Sequence, residues 1–549
     1  MQKAAVLFVM FLMLSLLVMC RIGPGEITGK ISTINGEIPP KMHVHIYKYE
    51  ENPYKPLYSA AAKADGSFKI EMPDETKLEL MVTAAGFPRL IFPVMNQHRK
   101  DVLLDIKLNY YEYIDELEDV KLIGSWDKFS EENPVSMTPA EDSTWFYNVI
   151  SGADTVGYQL YNIVKSNRSV NGTMWDKLIY DQGGDYISVI YLKDNRGRIV
   201  FDPRKLPEGE KENTPQVQVE GGDLSMQPFI DISMRMQRET VRITDSAAVY
   251  KEKNEGIEGF QYNIPDFTGR LVSYIKQEKD TLLAKYASLQ LAKIWNMGAE
   301  IKEEDLRKAS SKLPLTDNLW EQHPVLCVRL FTYVFKEEAA DSLFREKVEL
   351  IQYGNVKAAV LLQLGLKAKA DNKILDLVGF YKQLVRMRID LPNYKYLLAQ
   401  LNPDKNIFKG KDIPDFSFSL LNSGKHISNK SFLGKYYLMD FWATWHEPYM
   451  NEMAVLHSAY DKYKSKNFTI LSLSYDINRT SIDKFLKGRW KMPWMHVFVN
   501  QIMKKDISKV FEVGGIPMAI LVGPDGKILA TDLELRGENL EKTLAKYIK

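Results

Sequence analysis

Hydrophobic and polar positions change rhythm along the chain, and the changes divide it. After Lys3 an apolar run, interrupted by Ser15 alone, extends from Ala4 to Met19 and stops at Cys20. A charged start followed by an apolar stretch shorter than the roughly 20 residues of a membrane-spanning helix predicts an export signal over residues 1–20. From 26 to about 108 short alternating segments follow, EITGKIST, HVHIYKY, DGSFKIEM, LELMVTAAGF and DVLLDIKL, with the turn signals Asn35-Gly36 and Asp65-Gly66 between them. Period two with such turns predicts strands, so residues 22–110 are expected to form a β-sandwich module. A second β-sandwich module is expected over 116–207, and the charged stretch RKLPEGEKENTPQVQVEGG at 204–222 reads as an exposed linker.

Beyond the linker the period lengthens. In 269–297 the apolar residues Leu282, Tyr286, Leu289, Ala292 and Trp295 recur at spacings of three and four, which predicts an amphipathic helix. Similar patterns at 303–311, 324–338, 340–353, 355–370 and 373–388 predict further short helices and a helical domain over 224–403. The last part, 412–549, reads as an α/β domain. A hydrophobic strand (YYLMDFW), a helix (EPYMNEMAVLHSAYDKYKS) and another apolar strand (FTILSLSY) make a βαβ unit with a parallel pair. A helix near 480–488, a hairpin turned at Pro524-Asp525-Gly526 and a final helix ENLEKTLAKYIK complete it. The fold class is therefore multidomain, two β modules and a helical middle preceding an α/β terminus.

Composition narrows the function. The 549 residues carry 72 Lys+Arg against 71 Asp+Glu, a net charge of +1, which leaves no electrostatic footprint for nucleic acid. The chain holds 2 Cys, Cys20 and Cys327, far apart, so a disulfide framework, a thiolate zinc site and a Cys-x-x-Cys pair are all excluded. Cys327 lies on the apolar face of PVLCVRLFTYVF and is expected to be a buried small hydrophobe. His43 and His45 alternate on one strand face, but no third metal ligand accompanies them. His446 and His457 are separated by eleven positions, roughly 16 Å along a helix at 1.5 Å per residue, and cannot share one ion. No metal and no cofactor is expected.

Several segments resemble known families. The ending Leu-Val-Met-Cys at 17–20 resembles a bacterial lipobox, which implies lipid on Cys20 and a lipid-anchored protein of the bacterial cell envelope, periplasm or outer membrane, the alternative being an uncleaved signal anchor. ADGSFKI and VTAAGF in the first module resemble transthyretin-like or carboxypeptidase-regulatory domains. GSWDKF, NGTMW and VFDPRKLP in 116–207 resemble a glycogen- and starch-binding β-sandwich module. That resemblance places Phe129 and Trp175 as a ring platform for polysaccharide, although Phe129 stands where tryptophan is usual and a long insertion, Asp176 to Ile199, follows Trp175.

The C-terminal segment is the most specific. FWATW at a strand-to-helix turn, GGIP before a strand and the PDGKI hairpin resemble the TlpA/ResA-like, AhpC/TSA-related thioredoxin fold. In that family FWATW precedes Cys-x-x-Cys, whereas here the tetrapeptide is His446-Glu447-Pro448-Tyr449. Thiol-disulfide exchange needs a thiolate and a resolving thiol, which imidazole and phenol do not replace. The resemblance further places Asp440 as the buried carboxylate and Pro517 as the cis-proline, with Trp442, Trp445, Tyr449 and Trp494 as an aromatic rim. Together with Ile516 and Pro517 these would line a groove for an exported protein or peptide. The expectation is a redox-inactive binding or scaffold module, the alternatives being a thiol-disulfide oxidoreductase by family association and a glycan-binding protein.

Overall fold

The structure, a computed structural model, describes residues 25–549 apart from 50–54, 96–99, 115, 165–168, 174, 182, 207–214, 255, 277–280, 390, 392, 447–448, 450–451, 489–490 and 500. The expected export signal with Cys20, and Glu447 and Pro448 of the tetrapeptide, lie outside the described residues. Among those described, no helix is long and apolar enough to cross a membrane. The chain divides into two compact units, 1–314 and 315–549.

In the first unit, strands β1 (Glu26–Thr33), β2 (Met42–Lys48), β3 (Tyr58–Ala61), β4 (Ser67–Glu71), β5 (Leu78–Ala84), β6 (Leu90–Val94) and β7 (Val102–Leu108) follow the alternation read from the sequence. One sheet has the order β3-β2-β5-β6, and Ile27, Val44, Ile46, Leu80, Leu104 and Ile106 from both sets of strands enter a single core. Next come β8 (Lys121–Gly124), β9 (Val135–Ser136), β10 (Thr138–Pro139), β11 (Trp145–Ile150), β12 (Thr155–Tyr161), β13 (Lys177–Tyr180), β14 (Tyr186–Tyr191) and β15 (Arg196–Phe201). Their sheets, β13-β14-β12-β8-β9 and β10-β11-β15, enclose Leu122, Tyr158, Leu160, Ile199 and Phe201.

The expected linker is a strand in its second half. β16 (Gln216–Gly222) pairs antiparallel with β7, giving the second sheet of the first module the order β16-β7-β1-β4. Val217 and Val219 are buried in that core, so the alternation in QVQVE outweighs its charged flank.

The helices keep the predicted periods but not the predicted grouping. The first unit holds α1 (Gln227–Asn254), α2 (Pro265–Lys276), α3 (Thr281–Asn296) and α4 (Glu303–Lys312). The stretch 269–297 thus spans two helices rather than one. The second unit holds α5 (Pro324–Phe335), α6 (Glu337–Lys347), α7 (Gly354–Ala370), α8 (Ile374–Val385) and α9 (Tyr394–Gln400). Residues 224–403 are therefore parted rather than forming one domain. Ile230 of α1 packs into the core of the first strands, whereas Lys369 of α7 donates to Thr531 Oγ1 at 2.9 Å and Tyr396 of α9 donates to Asp532, both in the C-terminal domain. Tertiary partners, not helical period, set the boundary.

The C-terminal domain opens with the hairpin β17 (Ser417–Ser419) and β18 (His426–Ser428). It continues with β19 (Tyr436–Trp442), α10 (Met453–Tyr463), β20 (Phe468–Ser474), α11 (Arg479–Lys487), β21 (Met495–Phe498), α12 (Gln501–Val510), β22 (Met518–Val522), β23 (Ile528–Thr531) and α13 (Glu538–Tyr547). The sheet order is β21-β20-β19-β22-β23, with β19, β20 and β21 parallel and β22 and β23 antiparallel. β19 is central, so both of its faces are buried, which is why its sequence reads as a continuous apolar run. Tyr437, Met439 and Phe441 enter one core and Leu438 and Trp442 the other. Each such fully buried apolar side chain contributes roughly 1.5–3 kcal/mol. Asp440, between Leu438 and Trp442 on the second face, is the polar exception, and it sits in the candidate site.

Candidate functional site

β19 ends at Trp442, and the chain then turns through Ala443 to His446. The turn is held by polar groups of the neighbouring strand. The Tyr475 N–H donates to the Trp442 carbonyl at 2.7 Å, and the Thr444 hydroxyl donates to Asp476 Oδ1 at 2.6 Å. The His446 N–H then donates to the Ala443 carbonyl at 3.2 Å and the Tyr449 N–H to the His446 carbonyl at 3.0 Å. This turn delivers Tyr449 to the sheet.

The Tyr449 side chain is fully buried and stacks on Trp442, with centroids 5.1 Å apart at 28°. Its hydroxyl donates to Asp440 Oδ2 at 2.6 Å, the Ser472 hydroxyl donates to the same oxygen at 3.0 Å, and Trp494 Nε1 donates to Ser472 Oγ at 2.9 Å. Ser472 is opposite Asp440 in the β19–β20 register, which explains why a serine interrupts the apolar run of β20. Burial pushes the Asp440 carboxyl up to about 6, against the opposing effects of the two hydroxyl donors and the Arg536 charge. Burial, reinforced by Asp440, also raises the Tyr449 phenol well above its ordinary value, so it stays a neutral donor at pH 7. The fourth position of the tetrapeptide, Tyr449, is thus occupied by a neutral ring bonded to the Asp440 carboxyl, with no thiol to resolve a mixed disulfide.

The sequence-predicted groove residues separate into two groups. Trp442 and Tyr449 do not form a rim: both are completely buried, and Trp494 is 7% exposed. Trp442 faces inward because it alternates in phase with Leu438 and Asp440. Trp445, 60% exposed, is the aromatic residue that does reach solvent, and its ring lies 5.8 Å from the partly buried ring of His446. His446 Nδ1 is buried without a hydrogen-bond partner among the described residues. The Ile516–Pro517 peptide bond is cis, Ile516 and Pro517 are partly buried, and Gly514 and Gly515 before them are exposed. Because Phe441 is opposite Met518 in the register, the segments Trp442–His446 and Gly514–Pro517 leave the sheet at the same edge. Ligands of open α/β sheets bind outside the carboxyl ends of parallel strands, which is where β19 ends.

Three residues that shape this edge were not singled out from the sequence. Ser472 and Asp476 carry the hydrogen bonds described above. Arg536 donates to Glu452 Oε2 at 2.8 Å, tying the segment before α10 to the segment before α13, and to Asp532 Oδ1 at 3.4 Å. For Ser472 the signal was available, a polar residue inside an apolar strand.

The remaining candidates lie elsewhere. A Cβ added at Gly157 would meet Phe129 Cζ at 3.4 Å, whereas Trp175 stacks on Phe201 against the core that holds Tyr158. Gly157 and Tyr158 are consecutive on β12 and point to opposite faces, so Phe129 and Trp175 do not share one platform. His43 Nδ1 is 2.7 Å from the Tyr186 hydroxyl, and His45 is buried between Ser59 Oγ, at 2.7 Å, and the Tyr180 hydroxyl. Burial lowers both imidazoles, His45 to about 4, so these histidines belong to a neutral polar seam between the two strand-rich parts. Cys327 is completely buried, and desolvation raises its thiol well above the ordinary value.

Comparison with known proteins places residues 434–528 in a thioredoxin-like family model. Thiol-disulfide oxidoreductase ResA of Bacillus thuringiensis subsp. konkukian (strain 97-27) is 33% identical over 141 residues, covering 26% of this chain and 76% of that protein. Probable nucleoredoxin 1 of Arabidopsis thaliana is 28% identical over 153 residues, covering 28% of this chain and 24% of that protein. Among solved structures, the thioredoxin domain of a thiol-disulfide oxidoreductase from Bacteroides vulgatus is 33% identical, with a TM-score of 0.24, and covers 26% of this chain and 98% of that one.

Proposed function

The chain belongs, through its C-terminal quarter, to the thioredoxin-like family of thiol-disulfide oxidoreductase ResA, and on that premise we propose that this domain is a redox-inactive binding or scaffold module. The observation that carries the reading is the Tyr449–Asp440 pair: a buried phenol hydrogen-bonded at 2.6 Å to the site's carboxyl, in the tetrapeptide where the family carries its second thiol. A further support is that Cys327 is shut inside the protein, where a raised thiol pKa leaves almost no thiolate at neutral pH.

The binding surface is the sheet edge formed by Trp445, His446, Ile516 and Pro517, and its partner is an exported protein or peptide in extended conformation. Backbone pairing at such an edge needs no thiol. The two strand-rich parts act as β-sandwich spacers, and lipid on Cys20 tethers the protein to the bacterial cell envelope. Polysaccharide binding through Phe129 or Trp175 is the weaker reading, because the two rings sit on opposite faces.

Affinity capture of exported partners with the parent and with Trp445→Ala and Pro517→Thr tests the groove. The reading expects a partner retained by the parent and released by both variants. Retention of the same partner by all three removes this edge from the account.

A further inference from the structure

The second unit contains a cavity of about 360 Å³ remote in sequence from the tetrapeptide, walled by α6 and α7 on one side and by the segment after β23 and α13 on the other. Its volume lies within the range of roughly 300–1,000 Å³ typical of small-molecule sites. Its walls are of two kinds. Phe344, Leu366 and Leu533 form an apolar side, and four lysines, Lys367, Lys369, Lys542 and Lys546, stand beside the acids Glu337, Asp341 and Glu534.

The charges are not mutually satisfied. Each acid already has a stabilising neighbour: Asp341 accepts from Arg345 Nε at 2.8 Å, Glu534 accepts the Thr531 backbone N–H at 3.2 Å, and Glu337 lies in the first turn of α6, where the helix dipole favours a carboxylate. Two lysines are also paired, Lys367 with Asp371 at 3.0 Å and Lys542 with Glu538 at 3.6 Å. Lys369 and Lys546 have no carboxylate within 4 Å among the described residues. Lys546 is exposed and lies beside the Tyr547 ring.

Lys369 is the decisive group. It is 6% exposed, and its amine donates to Thr531 Oγ1 at 2.9 Å, one bond for a group with three donors. Burial lowers its pKa, and Lys405 adds to that effect while Glu534 and Asp532 oppose it. A buried ammonium of this kind is costly until an anion reaches it. Inorganic phosphate would satisfy the amine but leave the apolar wall uncovered, and a neutral apolar molecule would do the reverse.

We propose that this cavity binds a small amphipathic monocarboxylate, its head group held by Lys369 and Thr531 with Lys546 at the mouth, and its apolar body packed on Phe344, Leu366 and Leu533. The head group accepts hydrogen bonds from the amine and the hydroxyl, which become charge-assisted once the amine is protonated. The site is independent of the tetrapeptide and of any partner at the Trp445 edge.

Titration calorimetry on the chain from residue 22 onward, with octanoate, acetate, 1-octanol and phosphate as separate probes, tests the assignment. Octanoate is expected to bind at least about tenfold more tightly than each of the other three, since either half of the ligand alone forfeits one wall. Lys369→Met is expected to weaken octanoate by at least about tenfold, a charge-assisted hydrogen bond being at stake. Because a buried lysine's replacement can disturb folding, Leu366→Trp, which fills the cavity with both lysines intact, serves as the second variant and is expected to weaken octanoate by a similar factor of about ten. Octanoate binding no tighter than 1-octanol or phosphate, or unchanged by Leu366→Trp, overturns the proposal.

Discussion

Replacing Asp440 by asparagine removes a carboxyl that the C-terminal core holds against its solvation preference. The sign follows from the raised pKa. The folded protein holds this carboxyl at about 6 against an ordinary 3.8, so the neutral acid is the form the fold prefers. The stability linked to that preference is fully present below pH 3.8 and is lost as pH rises through about 6. The difference corresponds to about 3 kcal/mol at about 1.4 kcal/mol per pKa unit. Asparagine has the same shape, keeps an oxygen for the Tyr449 and Ser472 hydroxyls, and does not ionise. Asp440→Asn should therefore match the parent near pH 4 and gain about 3 kcal/mol on it by pH 7.5. Multidomain chains seldom unfold in one step, so the assay must report on this domain alone. Hydrogen exchange in peptides from β19 and β20 does so, and a gain of about 3 kcal/mol appears there as roughly 100-fold slower exchange in the variant at pH 7.5. A variant-to-parent ratio that is the same at both pH values refutes the claim that burial raises the Asp440 pKa.

Four further outcomes are expected. Tyr449→Phe deletes a hydrogen bond to a buried carboxyl and should lower the stability of the domain by about 1.5–3 kcal/mol at pH 7.5, read by the same exchange experiment. Arg536→Ala leaves Asp532, which is 1% exposed, without its cationic partner, and should cost about 3–5 kcal/mol and loosen the start of α10, visible as faster exchange around 452–463. Cys327 should resist a thiol reagent in the folded protein and react fully in denaturant; modification of the native protein at the rate of a free thiol contradicts its burial. The double variant His446→Cys, Tyr449→Cys should gain dithiothreitol-dependent insulin reduction, and a folded double variant without turnover would show that more than the two thiols is missing.

The sheet of the C-terminal domain was legible because a central strand buried on both faces is apolar at most positions, as in YYLMDFW and FTILSLSY. Within those runs Asp440 is the one charged residue, and it proves to accept a hydrogen bond from Ser472, one of three small hydroxyl residues in FTILSLSY. Tyr449 was harder to place. Four residues on from Trp445, it has no periodic neighbour to reveal that the turn carries it inward while Trp445 remains outside. The platform of Phe129 and Trp175 failed for a different reason. The insertion after Trp175 builds β13 and β14, and pairing of β14 with β12 places Gly157 beneath Phe129 on the face away from Trp175. The partition of the helices was invisible because helical period reports only that one face is buried, not against which partner.

Insulin reduction by the chain from residue 22 onward, assayed beside Cys327→Ala with dithiothreitol as electron donor, decides whether the C-terminal domain is redox-inactive. No turnover above the uncatalysed rate is expected for either protein. Clear turnover that persists in Cys327→Ala would contradict this expectation, because no thiol would then remain to carry the exchange.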